Sequence, residues 1–100
     1  MVRHVILWKL RESLSSDEKN QVMLNMKEQL EALVGKVPGL ISLKIIINDM
    51  ESSNADIMLD SVLESEDALK GYQGHPEHVK VADTYVRPFT EIRMCMDYMD

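Results

Sequence analysis

This chain has one cysteine, one phenylalanine, one tryptophan, three prolines and four glycines among its 100 residues. The lone thiol, Cys95, has no partner for an internal disulfide, which suits a reducing compartment. Four scattered glycines make no phosphate-cradling loop, so nothing supports nucleotide use. No apolar run approaches the roughly 18 residues of a membrane span, and no basic-then-apolar leader opens the chain. The expectation is a cytoplasmic protein with no membrane partner. Positive charge is also scarce, with 11 Lys and Arg against 17 Asp and Glu and a net charge of −6. Without a basic stripe, nucleic acid is not an expected partner either. A His-Glu-x-x-His pair is missing. His75 and His78, with Glu77 or Asp83 as added oxygen donors, straddle a helix start and do not share a face dependably, so neither a metal nor a cofactor is expected.

What is present is an ordinary globular mixture, 45% hydrophobic and 28% charged, sized for a single domain over residues 1–100. Val2 to Leu10 alternates as a strand. Ser15 with Glu18 is a capping-box signature, and Val22, Met23, Met26, Leu30 and Leu33 follow with helical spacing until Gly35 and Pro38-Gly39. Strands are expected over Leu40–Asp49 and Ala55–Glu64, joined by a polar hairpin loop. A short helix runs from Ser65-Glu66-Asp67 to about Tyr72, another starts at Pro76, and a last strand covers Thr90 to Met99. The order βαββαβ, with its second helical region broken, predicts an α+β, ferredoxin-like antiparallel sheet with helices on one face.

Alternation sorts the strand residues onto two faces. One holds Ile6, Trp8, Leu43, Ile45, Ile47, Ile57, Leu59, Leu63, Ile92, Met94 and Met96 and is expected beneath the helices. The other mixes Val5, Leu7, Ile46, Met58, Val62 and Cys95 with Lys9, Lys44, Asp60, Arg93 and Asp97. It is too apolar for water and too charged for a core, and a second copy of the sheet packed against it would satisfy both groups. A homodimer through this open face is therefore the expected partner.

The most informative segment is His75-Pro76-Glu77-His78, three residues after Tyr72. Pro76 disfavours helix at His75 and suits a first helical position, which places His78 in the first turn. There the helix dipole favours the neutral imidazole that a general base needs. His4 lies on the apolar face beside Ile6 and Trp8. The expected site is the space between sheet and helices, with His78 as its proton-transfer group, Tyr72 facing the same space across the break to donate to a carbonyl oxygen, and His4, Trp8, His75, Ile57, Leu59 and Met94 as its ligand-binding lining. Cys95 is placed opposite His4, with no base in its layer.

With His4, Val37-Pro38-Gly39-Leu40, Tyr72-Gln73-Gly74-His75-Pro76-Glu77-His78-Val79 and Asp83, the chain resembles the stress-responsive α/β-barrel family over almost its whole length. That resemblance implies a dimeric α/β barrel. It also implies a sheet–helix cavity binding a small apolar molecule or, as in a plant polyketide cyclase of the family, cofactor-free chemistry on a carbonyl substrate. The cyclase's tyrosine and histidine map onto Tyr72 and His78, and its first-strand histidine onto His4. On the third strand Ile57, Leu59 and Ser61 bring no further histidine, a departure from the cyclase.

Overall fold

The local signals produce their elements nearly where they stand. In the computed structural model, which describes residues 1–100, β1 spans Val2–Leu10, α1 Ser16–Glu31, β2 Leu40–Ile47, β3 Ile57–Leu63, α2 Glu66–Gly74, α3 Pro76–Val81 and β4 Thr90–Met99. Between α3 and β4 the helix widens into a π-helical turn, Ala82–Val86, closed by the Arg87 N–H on the Ala82 carbonyl at 2.8 Å. The α1 capping box is complete. Ser15 Oγ accepts from the Glu18 N–H at 3.1 Å, and the Glu18 carboxylate accepts from the Ser15 N–H at 2.9 Å. These bonds satisfy amide donors that a helix start otherwise leaves unpaired.

All strand pairings are antiparallel, in the order β2-β3-β1-β4. This is the ferredoxin-like arrangement, and the helices cover one face. Beneath them Val2, Ile6, Trp8 and Leu10 of β1 and Ile57, Leu59 and Leu63 of β3 pack against Met26, Leu30 and Leu33 of the α1 region. Each buried side chain of this size is worth roughly 1.5–3 kcal/mol. The turn into β2 needs Gly39, whose φ is +82°. A Cβ built there would stand 2.6 Å from the Cβ of Ala68 on α2, so the chain passes α2 too closely for any side chain.

β4 reverses the expected faces. Its register pairs Trp8 with Arg93, Ile6 with Cys95 and His4 with Asp97. Directly opposed residues share a face. Arg93, Cys95 and Asp97 therefore lie on the helix side, and Ile92, Met94, Met96 and Tyr98 on the open side. The expectation had put the more apolar side under the helices. The helices do not reach over this edge strand, however, so even its helix-side residues are exposed and can carry charge. The open face is correspondingly more apolar than its sequence pattern suggested, with Met94 and Met96 67% and 68% exposed.

Candidate functional site

The helix break builds one wall of a cavity. His75, in extended geometry (φ −67°, ψ 134°), ends α2 and caps α3, its Nδ1 accepting from the Glu77 N–H at 3.1 Å. Pro76 follows as the first residue of α3. The bend brings Tyr72 of α2 and His78 of α3 together, with ring centroids 4.3 Å apart. His4 approaches from β1, its ring 6.0 Å from that of Tyr72 and edge-on. The three frame a cavity of about 90 Å³ with Ile6, Trp8, Leu30 and Leu59 as its apolar part. Gln73, Arg87, Thr90 and Arg93 also line it.

Of the expected lining, His4, Trp8, Leu59, Tyr72 and His78 meet there. Ile57 belongs to the core but does not line the cavity, although its ladder partner Trp8 does; it borders a separate groove at the β2–β3 end of the sheet. His75 does not line it either, since its ring serves as the cap of α3 and borders a separate groove beside Gly39 and Ala68. Met94 points to the opposite side of the sheet, as the β4 register requires. Arg93 takes its place on the cavity wall. The sequence gives no sign of that, because Arg93 alternates with Ile92, Met94 and Met96, whose apolar side reads as the covered one. Arg87 arrives through the π-helical turn, which hydrophobic periodicity does not reveal.

The protonation pattern follows from surroundings. His78 Nδ1 donates to the Gln73 carbonyl at 3.2 Å, leaving Nε2 of the neutral ring as an acceptor. Burial pushes its pKa below the usual 6.5, helped by the charge of Arg87 and opposed by the bond to Gln73. Burial is thus the largest cause that favours the neutral form. Burial likewise drives the Tyr72 phenol far above its ordinary range, so it remains a donor at every physiological pH. Its hydroxyl is buried and has no hydrogen-bond partner.

His4, almost fully buried, holds the Asp97 carboxylate at Nδ1. Cys95 Sγ lies 3.7 Å from the same nitrogen, in the same layer as His4 rather than across the sheet from it. That contact does not make a nucleophile. Thiol and carboxylate address one ring nitrogen instead of the two that a Cys–His–Asp relay uses, and burial with Asp97 nearby raises the thiol pKa. Donor atoms of His4, Cys95 and Asp97 lie within 4.8 Å of one another. They offer a cation one nitrogen, one sulfur and one oxygen, one short of a closed zinc site.

Such a cavity between a twisted sheet and a broken helix invites comparison with known proteins. A dimeric Bacteroides fragilis protein of unknown function and ferredoxin-like fold superposes with a TM-score of 0.91 at 34% identity, covering 97% of this chain and 93% of that one. An uncharacterized Streptomyces coelicolor protein is 33% identical over 79 residues, 78% of this chain and 79% of that protein. A hydroxynitrile lyase from Passiflora edulis shares the fold at 16% identity, with a TM-score of 0.73 over 97% of this chain and 90% of its own. No helix is long and apolar enough to cross a membrane. The family model for the stress responsive A/B barrel domain matches residues 2–100, and the chain belongs to that family.

Proposed function

We propose that the chain acts as a homodimer joined through its open sheet face, and that each subunit binds a small carbonyl compound in the cavity beneath α2 and α3. His78 Nε2 takes a proton from the carbon next to the carbonyl, and Tyr72 donates a hydrogen bond to the carbonyl oxygen as it gains charge. The proton then returns to carbon or to another atom of the substrate, and no cofactor takes part. The observation that carries this reading is the Tyr72 hydroxyl. It is buried without a partner beside a neutral histidine whose Nε2 is an acceptor. Leaving a buried hydroxyl unpaired costs about 1–3 kcal/mol, which a ligand oxygen would recover. That the same fold carries a hydroxynitrile lyase in Passiflora edulis fits a catalytic use of this scaffold.

A second reading, a binding barrel without turnover, draws on the apolar part of the cavity formed by Ile6, Trp8, Leu30 and Leu59. Size bears on both. About 90 Å³ is less than the roughly 150 Å³ that encloses benzene elsewhere, so a long poly-β-keto chain does not fit inside this form of the cavity.

Deuterium uptake from D₂O by short α-hydroxy ketones and β-oxo esters, followed by NMR, tests the catalytic reading. Wild-type protein should accelerate uptake over buffer. His78→Ala should abolish the acceleration while changing stability by under about 1.5 kcal/mol, since a half-buried pocket residue carries little packing. Ligand-induced shifts of the His78 ring without any acceleration would leave only the binding reading. A loss of several kcal/mol would make His78 a core residue and end the catalytic one.

A further inference from the structure

The cavity mouth carries charge of one sign. Arg87 and Arg93 line it with His78, and no Asp or Glu does. Arg87 is already neutralised by Asp83, one helical turn before it. Arg93 is not, for none of the chain's ion pairs includes it. Its partner across the ladder is Trp8, which brings no charge. Of the carboxylates on its own strand, Glu91, two residues before it at the register shift, forms no ion pair with it, and Asp97, four residues after it and about 13 Å away at the rise of a strand, is engaged by His4. In a chain of net charge −6, a guanidinium facing a cavity without a carboxylate partner is an open anion site. Its charge reaches both Tyr72 and His78. The unpartnered Tyr72 hydroxyl, in a residue only 1% exposed, is a second and independent vacancy for a ligand oxygen in the same cavity.

Resting on the carbonyl-binding reading above, we infer that the ligand is a short β-oxo acid whose carboxylate pairs with Arg93 at the mouth and whose oxo oxygen accepts from Tyr72. The separation of the two functions matches the site, charge outside and carbonyl within. Size limits the choice too: about 90 Å³ is below the roughly 150 Å³ that encloses benzene, so only the oxo end of a short acid enters the cavity and its carboxylate stays at the mouth. The carbon between its two carbonyl groups is then the acidic position presented to His78.

Acetoacetate and its neutral methyl ester, titrated separately into wild-type protein with the His78 ring resonances as readout, test the inference. Acetoacetate should bind at least tenfold more tightly than the ester, and added salt should narrow the gap. Arg93→Met should erase the preference by weakening acetoacetate far more than the ester, and Arg93→Lys should keep part of it. Arg93 sits exposed on an edge strand, so both variants should fold as the wild type does. If the ester perturbs His78 and acetoacetate binds no better, or if Arg93→Met keeps the preference, the anion site is wrong and the carbonyl-binding cavity stands. If neither compound perturbs His78, both fall.

Discussion

Tyr72 combines two properties that seldom coexist in a stable core: a ring packed to 1% exposure and a hydroxyl with nothing to bond. In the unliganded protein that hydroxyl is a cost, since buried polar groups are normally satisfied. Tyr72→Phe should therefore leave the folded protein as stable or about 1 kcal/mol more stable in thermal unfolding, while ligand affinity falls roughly tenfold. A clear loss of stability would show that the hydroxyl is structural. Gly39 is the opposite case, a residue far from the chemistry that sets where α2 lies. Its φ of +82° and the close approach to Ala68 both exclude a side chain. Gly39→Ala should cost at least the 1–2 kcal/mol or so of a left-handed alanine, and more once α2 is pushed away. Because α2 carries Tyr72, ligand binding should weaken too. Unchanged melting in that variant would contradict the close approach.

Edge strands leave one row of backbone groups without a ladder partner, and β2 shows how this fold handles it. The Glu31 carboxylate at the end of α1 accepts from the Ile45 N–H at 2.9 Å and from Lys27 Nζ at 2.9 Å, and Lys27 in turn donates to the Ile45 carbonyl at 3.1 Å. Burial alone would raise the Glu31 pKa. The Ile45 amide and Lys27 outweigh it and hold the carboxyl below the usual 4.5. A carboxyl with a folded-state pKa below its unfolded value contributes stability above the unfolded value and loses it as pH falls through the folded one. Glu31→Gln should thus reduce stability at pH 7 and make its decline below about pH 4.5 shallower, as urea midpoints across pH would show. A parallel shift at every pH would mean that the carboxylate charge plays no part in this clamp. On the other edge, β4 has no helix above it, and this leaves Arg93 free to serve the cavity while Met94 and Met96 turn to the opposite face.

For the molecule as a whole, that opposite face dominates. Val5, Leu7, Ile46, Met58 and Val62 join Ile92, Met94, Met96 and Tyr98 on one continuous surface, with Lys9, Lys44 and the Arg3–Asp60 pair among them. A stable monomer rarely exposes so broad an apolar patch. Packed against a second copy, its large side chains gain roughly 1.5–3 kcal/mol each before association costs, and the charges mostly set register. Leu7→Asp should yield unfolded or aggregating protein, because it places a carboxylate in the middle of that interface. Sedimentation of the wild type as a folded monomer at micromolar concentration would overturn the dimer.

Alternation in β1, the Ser15–Glu18 box and the proline at the helix break are local features, settled by neighbours within a few residues of each other. They made the order of elements and the meeting of His4, Trp8, Leu59, Tyr72 and His78 legible from the amino acids alone. Which face of β4 the helices cover is not local. Period-two patterning separates Arg93 and Cys95 from Met94 and Met96, but only the pairing with β1 and the reach of α2 and α3 decide which set meets the cavity. His75 read as a site residue because a ring used as a cap and a ring facing a ligand have the same sequence signature. The orphaned Tyr72 hydroxyl and a cavity of about 90 Å³ came from the packed structure, because each depends on distances between segments far apart in the chain, whereas the π-helical turn before Arg87 is local but leaves no periodic signal.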